Sequence, residues 1–227
     1  YFYLRHVEAV PASPPASAGQ GKGLTPLEYG ILAHRILQMV GTGGEAELNR
    51  LLGPVIPGGV ALRVLSQAEQ QRLYESLRWY VSSDFYISQV ATARKLRTEA
   101  RLAFEIDGVV VEGKVDAVAE GDGGCVLIDY KTGLGRAAED EAGPELDKFQ
   151  IALYAHGLRE TTGRSYWPSK AVVVYLAAKR FVELDPVAVA EQAARQASEV
   201  VAKIRAGQFD SSEPTACNAC PVSWICE

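Results

Sequence analysis

Methionine is almost missing from this sequence: Met39 is the one instance in 227 residues, and position 1 is a tyrosine. The sequence therefore reads as a piece cut from a longer protein. No apolar run approaches the roughly 20 residues of a membrane span, the longest lying around Ala171 to Ala178, and no signal peptide opens the chain. A cytoplasmic protein with no membrane partner is expected. An excess of positive charge is lacking as well, with 23 Lys and Arg against 28 Asp and Glu for a net charge of −5. That balance argues against a whole-surface nucleic-acid binder but leaves room for a local patch, which Arg94, Lys95, Arg97 and Arg101 form in sequence. Cysteine is sparse and lopsided: Cys125 stands alone, while Cys217, Cys220 and Cys226 crowd the last eleven residues. A secreted disulfide framework does not look like that, and three clustered thiols read as metal or cluster ligands. Internal repeats are absent.

What is present suits a well-buried core. Hydrophobic residues make up 48% and charged residues 22%, enough for one large or two small domains. Tyr1 to Val10 is aromatic-rich, and Pro11 to Gly23 is a linker by composition, so residues 1–23 read as a docking segment and its tether. Thr25-Pro26-Leu27-Glu28 opens a helix with an N-cap, a proline at the first position and a capping box, and the helix reaches Val40 before GTGG. On it Leu27, Gly30, Ile31, His34 and Leu37 fall on one face, which is read as the apolar stripe, with His34 pointing inward. Gly30 is costly in mid-helix by about 1 kcal/mol, and close approach of another backbone is its expected use. A short helix and a Gly/Pro-rich loop fill 45–65, and Ser66-x-x-Glu69 caps a helix to about Ser83.

Arg97 to Ile106 reads as a strand, Asp107-Gly108 as a hairpin turn, and Val109 to Val118 as a second strand of imperfect alternation. GDGG at 121–124 then turns into a third strand ending in Asp129-Tyr130-Lys131. Side chains alternate along a strand, so Asp129 and Lys131 share one face while Ile128 and Tyr130 enter the opposite layer. The hairpin brings Asp116 alongside Asp129. Two adjacent carboxylates repel unless a cation lies between them, and a hard divalent ion is the usual one. A solvated Asp129–Lys131 salt bridge is the plainer alternative. A glycine-rich acidic loop spans Gly133 to Glu145, and the helix Leu146 to Thr161 sets Gln150 and Tyr154 one turn apart on one face. Lys170 to Ala177 is a buried strand, Phe181 to Leu184 pairs with it, and Pro186 to Ala206 is an alanine-rich helix. Cys125, beside Val126, Leu127 and Ile128, reads as a core residue.

His34 on a helix, Gly113-x-x-Asp116, Asp129-Tyr130-Lys131 and Gln150-x-x-x-Tyr154, in that order over residues 30–154, resemble the motifs of the RecB/AddB-like branch of the PD-(D/E)xK nuclease superfamily. The tail Cys217-x2-Cys220-x5-Cys226 resembles that of its iron–sulfur members. The resemblance implies an α/β (α+β) fold with a restriction-endonuclease-like core, a central mixed sheet flanked by helices, and helical additions. It implies one nuclease domain fragment, with core residues 24–208 and a cluster-binding tail at 209–227. The metal ligands it implies are His34, Asp116, Asp129 and the carbonyl of Tyr130, for Mg²⁺ or Mn²⁺. Lys131 then works with the nucleophilic water, and Gln150 and Tyr154 line the site near the DNA backbone. Glu99 is either a further acid of this site or a strand-edge charge.

Iron–sulfur relatives use four cysteines, the first preceding the histidine helix, and no cysteine precedes Cys125 here. The 4Fe-4S reading therefore takes the fourth ligand as lost where the fragment was cut. A Cys₃His zinc site completed by His6 is the rival. The function implied is a metal-dependent DNA exonuclease within a helicase-nuclease, working with a helicase motor domain or a separate helicase chain in end processing and recombinational repair. A stand-alone CRISPR-associated exonuclease and a non-catalytic DNA-binding scaffold are the alternatives.

Overall fold

Two Asp-Gly pairs turn the middle of the chain back on itself. Asp107 and Gly108 both have positive φ (50° and 73°), the geometry whose twist matches that of the strands it joins, β1 (Lys95–Ile106) and β2 (Val109–Gly121). Asp122-Gly123 joins β2 to β3 (Gly124–Lys131). The computed structural model describes residues 24–52, 65–133, 145–162 and 167–208. Beyond β3 comes helix α4 (Glu145–Thr162), and β4 (Lys170–Tyr175) then lies parallel to β3, from Val126↔Lys170 to Lys131↔Tyr175. Parallel neighbours need such a crossover. β5 (Arg180–Leu184) returns antiparallel to β4, completing a mixed sheet of order β1-β2-β3-β4-β5.

One side of the sheet is covered by α1 (Pro26–Val40), α2 (Gly44–Leu52), α3 (Gln67–Val81) and a π-helical turn at Tyr86–Val90. Ala33, Leu37, Leu77 and Tyr80 pack there on Ala117, Ala119, Ile128, Tyr130 and Val172. The other side carries α4 and α5 (Pro186–Arg205), whose Ile151, Ala155, Leu158, Ala190 and Ala197 meet Leu102, Phe104, Leu127 and Val173. β3 and β4 are buried on both faces, which is why their sequences are nearly unbroken apolar runs. Cys125 is a fully buried member of the α4 side, as its neighbours predicted. Contacts divide the chain into Gly23–Val201 and a second unit of Tyr1–Lys22 with Ala202–Glu227; the site described below lies in the first. Among the described residues no helix is long and apolar enough to cross a membrane.

The imperfect alternation of β2 has a structural cause. Leu96 packs on the α1 side, whereas Ala100, Leu102 and Phe104, of the same parity, pack on the α4 side. On β2, Val115 belongs to the α4 side and Ala117 to the α1 side. The pleat therefore slips by one residue on both strands at once, at Glu99 and Asp116. Pairing continues on either side of them, Thr98↔Ala117 and Ala100↔Val115, but lapses between. Glu99 carries φ of 53°, a left-handed conformation that costs a side-chain-bearing residue about 1 kcal/mol.

The capping boxes at Thr25/Glu28 and Ser66/Glu69 are both present, and Gly41, with φ of 54°, ends α1 where expected. The expected apolar stripe of α1 is wrong, because Leu27 and Ile31 are exposed. The buried stripe is Ala33, Ile36, Leu37 and Val40, and Tyr29 and Leu32 extend it. His34 sits at its flank rather than in it. A Cβ at Gly30 meets the side-chain Oγ1 of Thr132 at 3.1 Å, so it is a side chain just past β3, not a backbone, that the glycine admits. Two of the four cations of the sequence patch are neutralised: Arg94 pairs with Asp122 at 3.0 Å and Arg97 with Glu120 at 2.7 Å. The expected N-terminal segment, the loop over 134–144 and the cysteine tail lie outside the described residues.

α4 lies close on β1 because Gly157 has no side chain. A Cβ there falls 2.3 Å from Cε1 of buried Phe104. Gly157→Ala gains about 1 kcal/mol in helix propensity but forces that ring aside, at about 1–3 kcal/mol. We expect a net loss of about 1 kcal/mol, read as a Tm lowered by about 2–4 °C. An unchanged or raised Tm would contradict this packing.

Candidate active site

The β2–β3 ladder stops at Ala117↔Ile128, one step before Asp116 and Asp129 would pair. A side chain replaces the missing backbone partner: the N–H of Tyr130 donates to Asp116 Oδ2 at 2.7 Å. Asp116 Oδ1 is 3.2 Å from Nδ1 of His34, and Nε2 of His34 lies 3.0 Å from the carbonyl oxygen of Tyr130. Both ring nitrogens thus face acceptors, an arrangement that a doubly protonated imidazole satisfies fully and a neutral one only by half. Burial opposes that charge, but Asp116, then Asp129 and the Tyr130 carbonyl outweigh it and hold the His34 pKa above its usual value. Below this point Tyr130 fills the apolar layer, and its hydroxyl shares a hydrogen bond of 3.0 Å with that of Tyr80.

Asp129 and Lys131 point to the other side of β3, towards α4. Asp129 is 2% exposed, and its Oδ2 lies 2.9 Å from Lys131 Nζ without any hydrogen-bond donor among the described residues aligned on it. Burial, joined by the neighbouring charge of Asp116, pushes the Asp129 pKa up to about 6 against the pull of Lys131 and His34. Lys131 Nζ donates to Gln150 Oε1 at 2.7 Å, and Gln150 Nε2 donates to the hydroxyl of Tyr154 at 2.8 Å. Burial works against the ammonium, yet Asp129 and Asp147 keep the Lys131 pKa above normal. The ring of Tyr154 comes close to β2 because residue 113 is glycine: a Cβ there falls 2.7 Å from its Cε1.

The structure brings together His34, Asp116, Asp129, Lys131, Gln150 and Tyr154, the six side chains singled out from sequence. The Asp129–Lys131 contact exists, but it is buried, not a solvated strand-face pair. Glu99 joins the His34 end: its carboxylate, one of Asp116 and a ring nitrogen of His34 all lie within 4.8 Å of one another, while Lys114 pairs with Glu99. Sequence reasoning missed Asp147, which is 1% exposed, 3.6 Å from Lys131 Nζ and an acceptor for Tyr175 Oη at 3.1 Å. Its signal was available, since Asp147, Gln150 and Tyr154 repeat at helical spacing on one face.

A family model described as the PD-(D/E)XK nuclease superfamily matches residues 1–227. The chain belongs to that superfamily. Its D-x-K element is expected at Asp129-Tyr130-Lys131, where the two halves of the site meet. Among similar proteins, the Gene 69 protein of Mycobacterium phage L5 is 31% identical over 130 residues, 54% of this chain and 41% of that protein. An ATP-dependent helicase/nuclease of Thermoanaerobacter sp. (strain X514) is 27% identical over 158 residues, 63% of this chain but 13% of the relative. This PD-(D/E)XK chain thus matches less than half the length of either. A solved structure from Eubacterium rectale, described as an exonuclease of provisional assignment, is 11% identical with a TM-score of 0.46, covering 88% of this chain and 87% of that one.

Proposed function

We propose that this PD-(D/E)XK chain is a metal-dependent DNA exonuclease domain, part of an ATP-dependent helicase-nuclease that processes DNA ends for recombinational repair. The observation that carries it is the convergence, where β2 and β3 part, of the His34–Asp116 pair with the buried Asp129–Lys131–Gln150–Tyr154 chain. The helicase/nuclease names of the relatives support the motor partner.

The residues fit a hard divalent ion. The donors that lie within 4.8 Å of one another are the His34 imidazole and the carboxylates of Glu99 and Asp116, one nitrogen with oxygens, which suits Mg²⁺ or Mn²⁺. His34 and Asp116, with Glu99 within ligand reach of both, would hold it, and Asp129 and the Tyr130 carbonyl are the further ligands proposed. When bound, such an ion polarises the scissile phosphate and lowers the pKa of a coordinated water. Lys131, held by Gln150 and Asp147 as well as Asp129, orients that water and offsets charge developing on the phosphate oxygens. Tyr154 and Gln150 border the strand being cut.

The direct test is digestion of single-stranded DNA with Mg²⁺ or Mn²⁺ by wild type, Asp129→Ala and Lys131→Ala. Cleavage is expected from wild type alone; activity surviving both substitutions overturns the assignment.

Protons compete with the ion for the same groups. Because the Asp129 pKa is raised to about 6, the carboxylate is free above that pH and increasingly protonated below it. Apparent Mn²⁺ affinity by calorimetry should first decline on acidification as His34, whose pKa is held above its usual value, takes its proton, and should fall more steeply below about pH 6 as Asp129 is protonated as well. An affinity flat from about pH 5 to 8 would exclude Asp129 as a ligand.

Cys217, Cys220 and Cys226 lie outside the described residues, so the iron–sulfur reading rests on their spacing. Anaerobically purified protein should be brownish, with visible absorbance; a colourless protein holding one zinc would favour the Cys₃His alternative.

A further inference from the structure

Arg101 and Lys114 stand directly opposite one another in the β1–β2 ladder. Like charges at opposed positions destabilise an antiparallel pair. The other cations in contact with cross-strand acids, Arg94, Arg97 and Lys170, are neutralised. Arg101 is exposed, and among the described residues it has no carboxylate partner. Lys114 has Glu99, and Glu99 is also within ligand reach of His34 and Asp116. A single carboxylate is therefore shared between a surface ammonium and the place where a divalent ion fits.

Beside this pair runs a groove of about 560 Å³ lined by Arg101, Lys114, Gly113 and Tyr154, with Glu112 as its one acid. Tyr154 connects through Gln150 to Lys131, so the groove adjoins the lysine end of the site.

We propose that Arg101 and Lys114 clasp a backbone phosphate of the nucleic-acid strand, and that Glu99 couples this clasp to metal binding. The inference rests on reading the site as a metal-dependent nuclease. Without the ion, Glu99 neutralises Lys114. When Glu99 turns towards an ion beside His34 and Asp116, Lys114 is released and two opposed cations accept a phosphate between them. Linkage makes the effect reciprocal: a strand held by the clasp draws Lys114 from Glu99 and leaves that carboxylate to the ion.

Anisotropy of a fluorescein-labelled oligothymidylate tests the clasp without relying on cleavage, with Ca²⁺ replacing Mg²⁺ and the strand checked for integrity. Lys114→Ala should weaken binding about three- to tenfold with Ca²⁺ and hardly at all without it, while Arg101→Ala weakens it in both conditions. With Ca²⁺ each substitution should reduce the salt slope by about 0.7, the loss of one phosphate contact on a single strand. In a Glu99→Gln background Lys114→Ala should cost affinity even without the ion, and Lys114→Arg should retain binding. Thermal melts guard against misfolded variants. An equal Lys114→Ala cost with and without Ca²⁺, or no cost from Arg101→Ala, overturns the proposal. If wild type cuts DNA while both variants bind as tightly as it does, the clasp alone is wrong; if wild type takes up no divalent ion, the nuclease reading falls with it.

Discussion

Lys131→Met should extinguish cleavage, by about a thousandfold or more, and destabilise the protein as well. Methionine keeps the apolar stem and removes the charge. Its loss leaves Asp129 and Asp147, 2% and 1% exposed, facing the same space without the ammonium that lies 2.9 and 3.6 Å from them. Removing one partner of a buried ion pair costs about 3–5 kcal/mol. The pH dependence carries a definite sign. The Asp129 pKa is already raised to about 6 in the folded protein, so its proton is bound more tightly folded than unfolded. Stability from that proton is fully present below the ordinary carboxylate pKa and lost as pH rises through about 6. Without Lys131 the folded pKa rises further, so the deficit of the variant should be largest near about pH 8 and shrink on acidification through about pH 6. Urea unfolding of metal-free wild type and variant at both pH values measures this. A deficit independent of pH would place the lost stability elsewhere than in the carboxylates.

Asp116→Ala should be nearly as damaging to cleavage, again by about a thousandfold, but for a different reason. Asp116 is the proposed ligand that also orients two others: it accepts from the Tyr130 N–H, next to the carbonyl, and it faces Nδ1 of His34. Its removal takes away one donor and unfastens two. Mn²⁺ affinity by calorimetry should fall about a hundredfold, with about 1–3 kcal/mol of stability lost from the orphaned Tyr130 N–H. The His34 pKa should drop at the same time, because burial, which opposes its protonation, is then countered by less charge. Retained Mn²⁺ affinity in this variant would remove Asp116 from the ligand set.

The parts of the molecule that sequence disclosed are those governed by neighbours in the chain. The Asp-Gly turns, the capping boxes, the ends of α1 and the helical spacing of Gln150 and Tyr154 depend on a few adjacent residues. So does the shared direction of Asp129 and Lys131. The slip at Glu99 and Asp116 was not legible, because it is a property of two strands acting together. Asp116 reaches His34 and the Tyr130 N–H from the point at which its strand changes sides. The face of α1 was misread because Leu27 and Ile31 supplied an apolar pattern as good as that of Ala33, Ile36 and Val40, and burial chose the second. Asp147 went unnoticed because a carboxylate in the first turn of a helix is ordinarily a response to the helix dipole. Its helical spacing from Gln150 and Tyr154 was the one local sign that it faced the same site.

The two halves of the site are mounted on opposite layers of the sheet. His34 arrives on a helix of one core, Gln150 and Tyr154 on a helix of the other, and the strands carrying Asp116 and Asp129-Tyr130-Lys131 contribute to both. Local opening of either layer separates ligands from lysine while the rest of the fold persists. A chain emerging from synthesis with α1 and α3 packed but α4 still to come holds half a site. The proposed nuclease activity should therefore appear late and all at once, absent from an incompletely folded copy.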